Sequence, residues 1–139
     1  MIFLLLCQMR RCNFVLSQQL LIMTHTSNIS IDVELDESRV PEQIRWRASD
    51  STADTQQLAK AMMLAFWDGA DKSAMRIDLW TKQMMVDEMA DFFYQVMMTM
   101  ADTFQRATNQ GELTADMKVY ATEFYKRFKE LQLKENNTL

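Results

Sequence analysis

The sequence predicts an α+β fold, in which an antiparallel four-stranded sheet is followed by two C-terminal helices packed on it, in the order β-β-β-β-α-α. Two observations carry this prediction. Up to about residue 80, apolar residues alternate with polar ones, which is typical of strands with one solvated face. From Val86 onward, apolar residues recur at helical spacing. Strands that precede helices in this way are typical of α+β domains.

The first two strands are predicted from strict alternation. The apolar residues of the first are Ile29, Ile31, Val33 and Leu35, and those of the second are Ile44, Trp46 and Ala48. The segment 36–42, with Pro41, is the predicted connection. In an antiparallel pair, Arg45 and Arg47 would face Asp32 and Glu34, and each such contact stabilises by roughly 0.2–1 kcal/mol.

The next two strands are predicted as a hairpin after a polar loop at residues 48–57. Residues 58–67 fit a helical stripe and a strand equally well. The short Asp68-Gly69 turn, with Met75, Ile77 and Leu79 alternating beyond it, favours a strand over 60–67. A helix there remains the alternative.

Two helices complete the predicted domain. The first starts near Val86, carries Asp87 and Glu88 in its first turn, and stops at the Asn109–Gly111 signal. The second is expected to start with Thr114 as its cap. The predicted core stripes are Val86, Met89, Phe93, Val96, Met97, Met100, Phe104 and Ala107 in the first helix, and Met117, Ala121, Phe124, Phe128 and Leu131 in the second.

The predicted domain covers residues 23–134, with a frayed tail at 135–139. Residues 1–22 do not resemble a signal peptide, since Arg10 and Arg11 follow the first apolar run, and no small-residue cleavage site precedes Thr24. We interpret this segment as a non-native or disordered extension, with Met23 as the start. An export or anchoring signal is the alternative.

Composition excludes several classes of function. Beyond residue 22 the chain has 13 basic and 19 acidic side chains, a field that repels nucleic acid. Both cysteines, Cys7 and Cys12, lie in the extension, and His25 is the only histidine, so we expect no zinc site. With two glycines in the whole chain, a phosphate-binding loop is not expected either. We therefore predict a protein that is not an enzyme and has no cofactor, metal or membrane span.

Methionine and tryptophan indicate a binding surface instead. Ten of the thirteen methionines lie between Met62 and Met117, and methionine suits both irregular cores and adaptable surfaces. The candidate partner-binding surface consists of Trp80, Met84, Met85 and Phe92. A second candidate set is a structural ion network of Arg76, Asp78, Asp102 and Arg106, in which Asp102 and Arg106 are spaced for a helical ion pair.

These residues also carry a family resemblance. They belong to an ordered set of motifs: Leu35-Asp36-Glu37, Val40-Pro41-Glu42, Ile44-x-Trp46, 60–64, Trp67-Asp68, 76–82, 86–89 and 100–108. Through these motifs the chain resembles the GldC family of gliding-motility proteins over nearly all of 28–130, although Gln83 and Met85 stand where that family tends to have Asp and Pro. The resemblance implies an accessory protein of surface gliding in Bacteroidota-type bacteria, with no known enzymatic activity and no established site residues.

Three hypotheses follow. The first is a non-enzymatic interaction module on the cytoplasmic side, which binds a protein of the gliding machinery. The second is a small-molecule binder or enzyme with a pocket between sheet and helices. The third is a scaffold that associates with itself as a homo-oligomer.

Overall fold

The structure, a computed structural model, describes residues 24–136. The predicted extension 1–22 and the last three residues of the predicted tail lie outside these residues. The described part contains two helices, α1 and α2, after five strands, β1 to β5. In order, the elements are β1 (Ile29–Leu35), β2 (Pro41–Ala48), β3 (Gln57–Ala59), β4 (Ala61–Asp68), β5 (Ser73–Trp80), α1 (Val86–Thr108) and α2 (Gly111–Asn136).

The strands form two antiparallel sheets, β1-β2-β3 and β4-β5. The predicted α+β class, with antiparallel strands before two helices, is confirmed. The prediction of one four-stranded sheet is wrong, because the chain bends at Lys60 between β3 and β4. Before this bend, β3 pairs with β2 through Ile44 and Ala59. After it, β4 pairs with β5.

The β1–β2 pair places one of the two predicted arginines against the acids. Asp32 lies opposite Arg45, whose guanidinium also donates to the Glu34 carboxylate. Arg47 instead lies opposite Ser30. On the other face, Ile44 is 1% exposed, and it is the largest fully buried side chain of the described residues. Burial of Ile44 on one face and the Arg45–Glu34 ion pair on the solvated face therefore both stabilise this sheet.

The β4–β5 hairpin confirms the strand predicted for 60–67. Its turn depends on Asp68, whose Oδ1 accepts the backbone N–H groups of Ala70 (2.8 Å) and Asp71 (3.1 Å). These two hydrogen bonds lower the pKa of the Asp68 carboxyl. Lys72, with φ of 51°, takes the left-handed conformation, whereas Gly69 does not. The turn is therefore set by an aspartate side chain, not by the glycine.

The two helices form an antiparallel pair around a tight connection. α1 has the predicted limits, and Asn109 ends it in the left-handed conformation, with φ of 56°. α2 begins directly afterwards, so the prediction of Thr114 as its cap is wrong. Thr114 lies inside the helix, where its hydroxyl donates to the Gln110 carbonyl (2.8 Å) or the Gln105 Oε1 (2.9 Å).

The fully buried positions of the helices are small residues. Ala90 and Ala101 are buried in α1, and Thr114 and Ala121 are buried in α2. Six residues of the predicted core stripes are instead exposed, Met100 among them at 52%: Val86, Phe93, Met100, Ala107, Phe124 and Leu131. Small side chains therefore occupy the most buried positions of both helices, whereas several of the larger ones remain exposed.

Candidate functional site

An apolar cavity of about 590 Å³ lies between the β4–β5 hairpin and the two helices. Asp78 is the one charged residue among those that line it. The hairpin contributes one wall, the connection to α1 forms the end, and two phenylalanines of α2 contribute the far side. The lining residues are Ala61, Met62, Met63, Asp78, Leu79, Trp80, Met84, Met85, Val86, Met89, Ala90, Phe92, Phe93, Phe124 and Phe128.

The structure brings together the four residues of the candidate partner-binding surface. Trp80, Met84, Met85 and Phe92 all line this cavity. Trp80 ends β5, and the two methionines lie in the connection that leads into α1. Phe92, one and a half turns into α1, also lines a second cavity of about 340 Å³ that faces the three-stranded sheet. The four side chains therefore form one continuous apolar surface at the strand-to-helix junction.

Lys60 and Glu88 hold the start of α1 against the bend between the sheets. The Lys60 Nζ donates to one oxygen of the Glu88 carboxylate (2.5 Å), and the other oxygen accepts the backbone N–H of Met85 (3.0 Å). The ammonium first, and then the backbone N–H, lower the pKa of the Glu88 carboxyl. Met85 thus owes its position at the cavity rim to a carboxylate one turn further along.

Lys82 makes a second set of ion pairs near the start of α1. Its ammonium pairs with the Asp36 carboxylate, and it lies 3.7 Å from the carboxylate of Glu42. The Lys82 ammonium, and next the backbone N–H of Val40, lower the pKa of Asp36, and the same pairing raises the pKa of Lys82. The connection from β5 to α1, which carries Met84 and Met85, is thereby tied to the β1–β2 loop.

The residues of the candidate ion network divide into two separate places. Arg76 and Asp78 pair with each other on β5 at 2.9 Å. On α1, Asp102 pairs with Lys118 of α2 at 2.6 Å, and Arg106 donates to the Thr103 hydroxyl at 3.0 Å. The first pair borders the apolar cavity, and the second ties the two helices together.

Comparison with known proteins identifies the family. The model of the family described as "Gliding motility-associated protein GldC-like" matches residues 41–130, well over half of the chain. The chain belongs to the GldC-like family. The matched region extends from β2 into α2 and includes every residue that lines the apolar cavity. No curated protein and no solved structure matches the chain.

A tyrosine cluster in this GldC-like chain was missed at the sequence level. The rings of Tyr94 and Tyr125 stack with centroids 4.9 Å apart, and the Tyr125 hydroxyl donates to the Asp91 carboxylate. The Lys129 ammonium lies 5.1 Å from the centroid of the Tyr125 ring. A signal was present, because Tyr94 and Tyr125 lie at nearly equal distances along the chain from the Asn109 turn. The cluster joins the two helices away from the cavity.

The remaining residues that were considered for catalysis or metal binding do not come together in one site. His25 pairs with Asp50 at 2.9 Å, and both side chains are exposed. Within residues 24–136, no three His, Cys, Asp or Glu side chains come together in a way that could hold a metal ion. Neither helix of the described part is long and apolar enough to cross a membrane. The apolar cavity is therefore the most distinctive candidate site of the described residues.

Proposed function

We propose that this GldC-like protein is a non-enzymatic accessory of the gliding machinery and binds a protein partner in the apolar cavity. Family membership supports the connection with motility. The cavity supports the binding role, because it gathers aromatic and methionine side chains at an accessible surface. Such side chains are enriched at protein interfaces, and methionine adapts to partners of different shape.

Exposure of the lining residues is the observation that carries the proposal. Trp80, Met85 and Val86 are all more than half exposed although they border an apolar cavity. Side chains of this kind become binding hot spots when a partner excludes water from around them. An apolar groove of this kind suits an amphipathic helix, which lays its apolar face into the groove.

The charges around the cavity indicate the chemistry of the partner. Asp87 lies in the first turn of α1 beside the cavity, whereas Asp78 and Glu88 at the same place already pair with Arg76 and Lys60. Beyond residue 22, acidic side chains outnumber basic ones by six. We therefore propose a partner segment in which lysine or arginine flanks the apolar anchors, since complementary charge speeds and orients association. A chain without cysteine beyond Cys12 suits a cytoplasmic location for this complex.

Alanine substitution of Trp80 tests the proposal. Affinity capture from gliding cells would first identify proteins that bind the wild type, and the affinity of a purified candidate would then be measured. Trp80→Ala is expected to weaken binding at least tenfold, because truncation of a buried aromatic anchor typically costs about 2 kcal/mol or more. A strain that lacks the gene should also spread less on a surface when it is complemented with Trp80→Ala than when it is complemented with the wild type.

Tyr120→Ala is the matched control. Tyr120 is 64% exposed on α2 and Trp80 is 57% exposed, but Tyr120 does not line the cavity. Its truncation should leave both affinity and spreading unchanged. Equal losses in the two folded variants, or no loss in either, would contradict binding at the cavity. Binding that does not weaken with added salt would contradict the basic partner segment.

A small apolar ligand is the second candidate for this cavity. The volume of about 590 Å³ falls within the range of roughly 300–1,000 Å³ that is typical of ligand sites. A medium-chain fatty acid should then raise the melting temperature of the wild type and raise that of Phe92→Trp less, because the larger ring would fill part of the cavity. Equal shifts in both proteins would exclude this candidate.

A further inference from the structure

We propose that a second copy of this chain pairs antiparallel with the free edge of β5, about a twofold axis at Ile77. This inference goes beyond the proposed function and does not depend on it. It rests on three observations about β5: its free hydrogen-bonding edge, its exposed apolar face, and the order of its charges. The product would be a continuous four-stranded sheet, β4-β5-β5-β4, shared by two molecules.

The free edge follows from the hydrogen-bond pattern of the hairpin. Within residues 24–136, β5 pairs only with β4, in unbroken register from Ala61–Trp80 to Asp68–Ser73. The Thr81 N–H donates to the Lys60 carbonyl at 2.7 Å. Because hydrogen bonding alternates along an antiparallel ladder, every second residue from Thr81 points its backbone groups toward β4. The others direct theirs to the free edge: Ala74, Arg76, Asp78 and Trp80.

The apolar face of the hairpin reaches this edge. Cross-strand pairs Met62–Leu79, Leu64–Ile77 and Phe66–Met75 share one face. Among these six, Phe66, Met75 and Ile77 are about half exposed. A long, apolar edge strand readily pairs with another strand unless something covers it. Pairing two copies at this edge would join two such faces into one.

The charges of β5 select the register. Residues whose backbone groups face the free edge must oppose one another, and the longest overlap under this rule, seven of the eight residues of β5, requires a twofold axis at Arg76 or Ile77. An axis at Arg76 places two arginines opposite each other. An axis at Ile77 places each Arg76 opposite Asp78 of the second copy. This last register joins the Arg76–Asp78 ion pair of each chain, at 2.9 Å, into a ring of four alternating charges.

A charge-exchange experiment on the full-length chain tests this register. Arg76→Asp places acids opposite acids, and Asp78→Arg places bases opposite bases, so each variant alone should dimerise about tenfold more weakly than wild type. An equimolar mixture should recover dimerisation as a heterodimer, since every cross-strand pair is then opposite in charge. The double variant Arg76→Asp/Asp78→Arg should also recover it. Analytical ultracentrifugation over a concentration series compares these four samples with the wild type.

General attraction between the two variants cannot account for recovery in the mixture. Each reversal changes the net charge of −4 by two units, so both chains remain acidic. Wild type that stays monomeric up to high concentration would overturn the proposal. So would dimerisation that ignores the reversals, or a mixture that behaves as the sum of its components.

Disulfide trapping checks the axis independently of charge. In a Cys7→Ser/Cys12→Ser background, Ile77→Cys would oppose its own counterpart as a non-hydrogen-bonded pair, whose Cα atoms lie about 4.5 Å apart. It should crosslink readily under mild oxidation. Met75→Cys, on the same face, would oppose Leu79 and should not crosslink. Equal crosslinking of the two variants, or none of Ile77→Cys, would overturn the twofold axis at Ile77.

Discussion

Thr81 is buried without satisfying its hydroxyl. The residue is 3% exposed, and its Oγ1 has no hydrogen-bond partner among the described residues. Burial of a hydroxyl without a partner costs about 1–3 kcal/mol. Thr114 offers the opposite case, because it is 6% exposed and has two acceptors within reach of its hydroxyl.

We predict that Thr81→Val raises the free energy of unfolding by about 1 kcal/mol, because it replaces an unsatisfied hydroxyl by a methyl group of similar size. Thr114→Val should lower it by about 1 kcal/mol, since it breaks a satisfied hydrogen bond. Urea denaturation of the two variants measures both values. Changes of the same sign would show that hydrogen bonding at these two threonines does not decide the outcome.

The Asp36–Lys82 ion pair should make stability dependent on pH. The pKa of Asp36 is lowered in the folded protein, so its contribution is present above the carboxyl's unfolded pKa of about 3.9. That contribution is lost as pH falls through the lower folded value. The melting temperatures of the wild type, Asp36→Asn, Lys82→Gln and the double variant should therefore show coupling at pH 7 that disappears near pH 2. Coupling that is equal at both pH values would contradict the role of this carboxylate.

At the scale of the element, the helix pair shows what patterning could and could not predict. The limits of α1 follow from Val86, the acidic first turn and Asn109, all of which are local signals. The buried face does not follow so directly, because hydrophobicity places the largest residues inside. Packed helices lie about 8–10 Å apart, and the distance depends on the size of the side chains at the contact. Ala101 and Ala121 are the least exposed positions of the two helices, followed by Ala90 and Thr114, while Met100 lies at the surface.

Two adjacent residues of α1, Met100 and Ala101, test which face of this helix is buried. Ala101→Leu is expected to lower the free energy of unfolding by about 1–3 kcal/mol, because the added carbons overpack a fully buried position. Met100→Leu, at a half-exposed position, should change it by less than about 0.5 kcal/mol. Chemical denaturation monitored by circular dichroism compares the two. A larger loss of unfolding free energy for Met100→Leu would indicate that the apolar stripe predicted from the sequence is the buried face.

The candidate site combines local and long-range information. Trp80, Met84, Met85 and Phe92 could be grouped from the sequence because they are close together in the chain. Their enclosure by Phe124 and Phe128 could not, since those positions depend on how α2 folds back. The Arg76–Asp78 pair is local as well, whereas the Asp102–Lys118 pair depends on the register of the two helices.

At the scale of the whole molecule, the two sheets mark the limit of the sequence prediction. β3 contains one large apolar residue, Leu58, and no alternating pattern, so its pairing with β2 makes it a strand. The separation of β3 from β4 occurs at a single residue, Lys60, whose side chain instead reaches α1. Neither feature leaves a periodic trace in the sequence, which is why a single sheet was the natural expectation.

The extensive contacts between elements of the described residues all join neighbours in the chain: β1 with β2, β2 with β3, β4 with β5, and α1 with α2. Each pairing closes only a short loop, which costs little chain entropy and favours rapid folding. The strands can therefore pair while the polypeptide is still emerging from the ribosome. Because α2 follows the strands along the chain, the apolar cavity gains its far wall, Phe124 and Phe128, only after α2 has been synthesised.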